Sequence, residues 1–279
     1  MGQKSKKTIL KDRLIGEGWF GTEQEAAAWA MLRRILVNDQ PVTSIHVRVA
    51  ADAAIRVKEY YKRQYVNKGG LKLEKAVESF PVSLQGAVAF DCGASMGGFT
   101  DCLLQHGAKL VYAVDAGFGQ LAGKLLADPR VVNMERTNIS DPVMLDLDPT
   151  PHFATLDLSY LSLKKAIPIA LQIMKGTGTC LCLVKPLYEV YNSEVRRSGN
   201  INDQQIHREI LDDLLAFVRG SSLSVIGLTN SPILGNNGTI EYLIGITTEM
   251  HTPAFELQKE MERAISEAFS LGKFKKNST

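Results

Sequence analysis

Histidine and cysteine are scarce in this chain of 279 residues, with five of the first and four of the second. Cys92, Cys102, Cys180 and Cys182 lack the paired spacing of a metal site, so no metal is expected. Three of them stand in apolar surroundings typical of buried free thiols, and a reducing cytoplasm is the expected home. No apolar run approaches the ~20 residues that a membrane-spanning helix needs. The lysines of Met1 to Lys7 lead into Asp12 and Arg13 rather than into a long apolar region. Neither a membrane contact nor a secretory leader is expected, and a pore-forming role gains no support. An excess of charge of either sign is also nearly missing, the net being +2, but the balance hides an asymmetry. Residues 1–68 hold thirteen Lys and Arg against seven Asp and Glu, and the rest of the chain is net acidic. A basic front fits a polyanionic partner. It fits a solvated tail equally well, since Lys4, Lys6, Lys7 and Lys11 supply much of the excess.

With 45% hydrophobic and 22% charged residues, the length suffices for one small and one medium domain around real cores. The most informative stretch runs from Gly86 to Leu104. Gly86-Ala87-Val88-Ala89-Phe90 reads as a buried strand, and Phe99, Leu103 and Leu104 recur at helical spacing. Between them lies Asp91-Cys92-Gly93-Ala94-Ser95-Met96-Gly97-Gly98, a glycine turn that lets a ligand approach the backbone and the amides of a helix start. The Gly-x-Gly-x-x-Gly spacing of a dinucleotide site is absent, because Ser95 takes the middle place. Asp91 would welcome a positively charged ligand. About 24 residues on, Val111 to Asp115 reads as a second buried strand ending in an acid, where a ribose diol is gripped. Together these features suggest S-adenosylmethionine, held by Asp91, Gly93, Ala94, Ser95, Gly97, Gly98, Phe99 and Asp115.

Further strands are expected at Val131–Met134, at Phe153–Leu158 with Asp157, and at Cys180–Lys185, with a helix over 163–174. Strands alternating with helices give a parallel sheet whose site lies at the carboxyl ends of the strands, and Asp91, Asp115, Asp157 and Lys185 all fall there. Glu135 to Asp141, with Asn138, is a polar loop placed to border an adenine. Tyr188 to Asp203 reads as a polar loop over the substrate, and Ile206, Ile210, Leu214 and Val218 as an amphipathic helix. Leu223–Thr229 and Ile240–Thr247 read as strands joined by a hairpin turn at Gly235-Asn236-Asn237-Gly238. From Leu257 to Ala268 the apolar spacing is helical again. Nearer the front, Thr22-Glu23-Gln24-Glu25 has a capping-box pattern opening a helix that ends in Arg33-Arg34, followed by a strand, a turn at Asn38 to Pro41 and a strand. Tyr60 to Lys68 interleaves basic residues with tyrosines, a pattern that can bind phosphates and stack on bases or pack domains together.

The run Tyr65 to Ala76, the turn Asp91 to Thr100, the segment Tyr112 to Leu121 and Glu135-Arg136-Thr137-Asn138 resemble the TlyA family, along nearly the whole chain. That family is described both as hemolysins and as ribosomal-RNA 2′-O-methyltransferases, with a fold related to the FtsJ methyltransferases. The resemblance implies an α/β, Rossmann-like methyltransferase sheet with a small N-terminal α+β domain of the alpha-L RNA-binding type. Its expected limits are 1–60 for the RNA-binding domain, 61–68 for a linker, 69–250 for the methyltransferase domain and 251–279 for a C-terminal helix and tail. It also implies that Lys72, Asp157, Lys185 and Glu241 are catalytic, Lys185 serving the target hydroxyl as a base or as a hydrogen-bonding cation. Asp157 is expected to touch the cofactor as well. Arg33, Arg34, Arg63, Lys68, Arg196 and Arg197 are the candidates for contact with ribosomal RNA or ribosomal subunits, although Gln24 and Glu25 stand where the resemblance would put basic residues. The expected function is S-adenosylmethionine-dependent 2′-O-methylation of ribosomal RNA, with an RNA- or ribosome-binding factor of little turnover as the alternative.

Overall fold

The computed structural model describes residues 7–17, 19–20, 22–57, 65–190, 197, 201–250 and 256–273. The chain divides into two compact units, Met1–Gln64 and Tyr65–Thr279.

In the first unit, β1 (Lys7–Ile9) leads into α1 (Leu10–Gly16), and α2 (Glu23–Met31) starts directly after Thr22 as the capping pattern predicts. The helix stops at Met31, before the two arginines. Arg33 takes a left-handed φ of 54°, with its N–H donating to Ala30 O and that of Arg34 to Trp29 O. This pair of bonds closes the helix end in the manner of a Schellman cap. The Arg34 guanidinium then lies 5.4 Å from the Trp29 ring centre. β2 (Ile35–Val37) and β3 (Gln40–Val42) pair antiparallel across Asn38 and Asp39, whose φ values of 49° and 62° make the two-residue turn that suits strand twist. β4 (Arg48–Ala50) pairs with β1 and β5 (Ile55–Val57) with β2, two strands that periodicity over three residues could not reveal. Leu10, Leu14, Phe20, Ala26, Ala30 and Ile35 form the core of this unit.

The second unit begins with Tyr65, which is buried with its hydroxyl donating to Glu74, so it packs rather than offering a stacking face. In order follow α3 (Gly69–Ser79), β6 (Val88–Cys92), α4 (Gly98–Gln105), β7 (Leu110–Asp115), α5 (Gly123–Leu126), β8 (Val131–Glu135), β9 (Phe153–Leu156), α6 (Leu163–Ile173), β10 (Thr179–Val184), α7 (Pro186–Glu189), α8 (Gln204–Gly220), β11 (Ser224–Asn230), β12 (Tyr242–Thr247) and α9 (Leu257–Lys273). The strands form one seven-stranded sheet in the order β11-β12-β10-β9-β6-β7-β8. β6 to β10 are parallel, while β12 runs antiparallel to both of its neighbours, so the sheet is mixed rather than parallel throughout. β11 and β12 pair as expected, but the link between them is a loop from Ser231 to Glu241 holding one 3-10 turn, not a tight hairpin turn.

Helices cover both faces. Residues of α6, α8 and α9 join one core cluster with Phe90, Leu156, Cys182 and Ile244, and α3, α4 and Leu125 of α5 join another with Ala89, Val111 and Leu183. α9 packs on β11 and α8, which makes it part of the sheet's covering layer. All four cysteines are free and buried. Burial pushes the Cys180 thiol up to about 12, so it stays uncharged. Strand order runs outward from β6 through β7 to β8, then returns to β9 and runs the other way to β10. The carboxyl ends of β6 and β9 therefore flank a switch point, where open α/β sheets keep their ligands.

Candidate active site

At that switch point the β6–α4 turn comes hard against the end of β9. Gly93 has φ +87°, and a Cβ there would lie 2.3 Å from the Asp157 carbonyl oxygen. The Asp157 N–H in turn donates to Cys92 O at 2.9 Å. Beside the turn, Asp115 closes β7, its Oδ2 accepting from Ser95 N at 2.8 Å and its Oδ1 from Gly117 N at 2.7 Å. Cys92, Gly93, Ser95, Asp115 and Asp157, with Thr137, Leu158 and Tyr160, line a hollow of about 290 Å³. A second hollow of about 200 Å³ adjoins it, lined by Lys72, Tyr188, Ile201, Thr239 and Glu241. Asp157, Ser159, Lys185 and Asn236 belong to both. A larger hollow of about 340 Å³ lies at the opposite rim, around His152, Gly178, Thr179 and Thr247. Some of its polar groups bond to each other, as in Glu249 N donating to Thr247 Oγ1 at 3.2 Å, and it holds no charged cluster. Size is therefore a poor guide to the chemistry here.

The second hollow is electrostatically dense. α3 packs against β12, which brings Lys72 Nζ to 2.5 Å from Glu241 Oε2 with both side chains buried. Burial pushes the Glu241 carboxyl up, while the Lys72 ammonium pulls it back toward the charged form. Gly235 crosses directly over that carboxylate, close enough that a Cβ would lie 2.2 Å from Glu241 Oε1. Lys185, one residue past β10, points its Nζ to 2.5 Å from Asp157 Oδ1 and donates to Ser159 Oγ at 2.8 Å. The approach to Asp157 lies off the hydrogen-bonding directions, since buried Oδ1 has no hydrogen-bond partner among the described residues.

The description of the FtsJ-like methyltransferases matches residues 65–248. Protein YqxC of Bacillus subtilis (strain 168), named as an rRNA methyltransferase, is 37% identical over 98% of each chain. The Mycobacterium tuberculosis protein named 16S/23S rRNA (cytidine-2′-O)-methyltransferase TlyA is 31% identical over 94% of this chain and 99% of its own. The chain belongs to the FtsJ-like methyltransferases, in their TlyA group. A solved Streptococcus thermophilus structure named as a hemolysin superposes with a TM-score of 0.73 at 33% identity, covering 99% of this chain and all of its own.

S-adenosylmethionine is the methyl donor of this family, and the first hollow fits it. Each Asp115 oxygen accepts one backbone amide and keeps room for a ribose hydroxyl, Val114, Ala116 and Leu158 offer apolar walls, and Asp157 offers a carboxylate that would suit a sulfonium's charge. Of the cofactor residues expected from the sequence, Gly93, Ser95, Asp115 and Asp157 line this methyltransferase hollow. The others do not reach it. Asp91 is fully buried beneath the turn, its Oδ2 accepting from Thr100 Oγ1 and its Oδ1 from Thr155 Oγ1, so it braces the turn instead of facing a ligand. Ala94 and Phe99 are core residues, Gly97 backs onto Leu125, and Gly98 onto Asn67. Asn138 is exposed, its N–H tied to Asp141 Oδ2 at 2.8 Å, and Thr137 takes the lining place instead.

Lys72, Asp157, Lys185 and Glu241, four residues spread over 170 positions of sequence, converge on the second hollow. Ser159, Tyr160 and Asn236 were missed. The polar Ser159-Tyr160 step just after a strand ending in an acid was the available signal for the first two; Asn236 sits in what reads as an ordinary turn. Among the RNA-contact candidates, Arg33, Lys68 and Arg197 are exposed and Arg34 covers Trp29. Arg63 and Arg196 lie outside the described residues. Among those residues, no helix is long and apolar enough to cross a membrane, and no three His, Cys, Asp or Glu side chains group as a metal site would.

Proposed function

We propose that this protein methylates ribose 2′-oxygens of ribosomal RNA with S-adenosylmethionine, and that Lys72, Asp157, Lys185 and Glu241 carry the chemistry. The observation that supports this most is the wall common to the two hollows: a nucleoside-like cofactor in the first and a ribose in the second would meet across Asp157 and Lys185. S-adenosylmethionine, when bound, supplies an electrophilic methyl group. The chain supplies the alignment that in-line displacement needs. A ribose hydroxyl must lose its proton as its oxygen takes the methyl group, and the Lys185–Asp157 pair is placed to receive it. Lys72, held by Glu241, keeps a second cation in the second hollow. The names of YqxC and TlyA supply the substrate class, and TlyA's name supplies cytidine as the first nucleotide to examine. Arg33, Arg34, Lys68 and Arg197 are the proposed RNA contacts, which would position the substrate through phosphates.

The test is labelled-methyl transfer to purified small and large ribosomal subunits, with the 2′-O-methyl positions mapped. Wild-type protein should label ribose in at least one subunit. Lys185→Ala should cut single-turnover transfer by roughly a hundredfold or more while S-adenosylmethionine affinity stays as it was. A protein that binds cofactor and subunits yet transfers nothing would be a binding factor instead.

A further inference from the structure

We infer that Ser159 is a positioning residue for methyl transfer, the group that aims the Lys185 amine. This rests on the reading of Lys185 as the residue at the ribose oxygen. An ammonium is a compact charge with three equivalent donors on a flexible stem, so an ion pair attracts it without fixing its direction. The contact with Asp157 is of that kind: Nζ lies 2.5 Å from Oδ1, but Oδ1 has no hydrogen-bond partner among the described residues. The directed bond is the other one, Nζ to Ser159 Oγ at 2.8 Å.

Ser159 is well placed to hold that direction. It stands three residues past β9, in a segment tied to the sheet by Asp157 N donating to Cys92 O at 2.9 Å. Ser159 lines both hollows, as do Asp157 and Lys185, so the bond joins two residues of the shared wall. With one tetrahedral position of Nζ given to Ser159 and a second beside Asp157, the third is left for the substrate oxygen, and in the neutral amine it carries the lone pair that takes the hydroxyl proton. Asp157 thus supplies charge and Ser159 supplies aim. Pro186 follows Lys185 directly and restricts the backbone that carries it, which leaves the side-chain torsions for Ser159 to settle.

The test compares wild type, Ser159→Ala, Ser159→Thr, Lys185→Ala and the Ser159→Ala/Lys185→Ala double variant in single-turnover methyl transfer to purified ribosomal subunits. Ser159→Ala should lower the rate about tenfold, the size expected for one directed hydrogen bond. S-adenosylmethionine Kd and the KM for subunits should stay within about twofold of wild type, because hollow volume and charge barely change. Ser159→Thr keeps the hydroxyl and should recover most of the rate. In the Lys185→Ala background the serine change should cost nothing further, since nothing remains to be aimed. A normal rate for Ser159→Ala, an equal fold-loss in both backgrounds, or a cofactor-affinity loss large enough to explain the rate would each overturn the inference while leaving the functional reading intact. A wild-type protein that transfers no methyl group would overturn both.

Discussion

Asp91 sits in β6 with no exposure, and both of its oxygens accept threonine hydroxyls. Burial disfavours its charge more than those bonds favour it, and its pKa is pushed up to about 6. In the unfolded chain an aspartate titrates near ~3.9. Between about pH 4 and pH 6 the folded protein therefore holds a proton that the unfolded chain has lost. Stability from this residue is greatest at the acid end of that window and falls as pH rises through it. Asp91→Asn removes the titration. The stability of wild type minus that of the variant, from urea unfolding at several pH values, should drop by up to about 3 kcal/mol across the window, at ~1.4 kcal/mol per pH unit. A constant difference would mean that Asp91 titrates like an ordinary surface acid. The residue keeps its place in the reading by bracing the turn from below: Thr100 lies in the first turn of α4 and Thr155 in β9, so one carboxyl joins the two elements flanking the switch point.

The element that most constrains the site is the β6–α4 turn. Gly93 combines a left-handed φ of +87° with the 2.3 Å approach to Asp157 O, whereas Gly86, at φ +72°, faces open space. The two glycines separate backbone strain from crowding. Gly86→Ala should cost roughly 1–2 kcal/mol of stability from its conformation alone and leave S-adenosylmethionine affinity unchanged. Gly93→Ala must also push β6 and β9 apart, so it should cost more and weaken cofactor binding about tenfold or beyond. Calorimetric titration of both variants distinguishes them. Equal affinities would separate the turn from the cofactor. A comparable tightness surrounds Glu241, which lies under Gly235 and against Lys72, so the loop between β11 and β12 and the first turns of α3 are held in register by one carboxylate.

At the scale of the molecule, the methyltransferase match begins at Tyr65, where the second compact unit begins, and α9 completes that unit's covering layer. Residues 65–279 should therefore fold without the first 64, melt cooperatively and bind S-adenosylmethionine like the full chain. Methylation of ribosomal subunits should fall severalfold or more, because the N-terminal unit is proposed to position RNA rather than to do chemistry. The readouts are cofactor titration and labelled-methyl transfer on the two proteins side by side, over a range of salt. Equal transfer by both at every salt concentration would reduce the basic front to a solvated surface.

The sequence by itself determined the local frames: buried β strands ending in acids, a glycine turn between strand and helix, and helices over 163–174, Ile206 to Val218 and Leu257 to Ala268, close to the observed 163–173, 204–220 and 257–273. These are legible because periodicity and turn chemistry act over a few neighbouring residues. Its resemblance to a family also marked Lys72, Asp157, Lys185 and Glu241, which do meet. Tertiary structure alone decided the rest. Strand order is set by which apolar faces bury one another, so the antiparallel insertion of β12 and the packing of α3 on it, which bring Glu241 to Lys72, have no local signal. Burial likewise sorted residues of one turn into opposite roles. Gly93 and Ser95 face the hollow, while Asp91, Ala94 and Phe99 went to the core, because a turn of this tightness has room for a ligand on only one side.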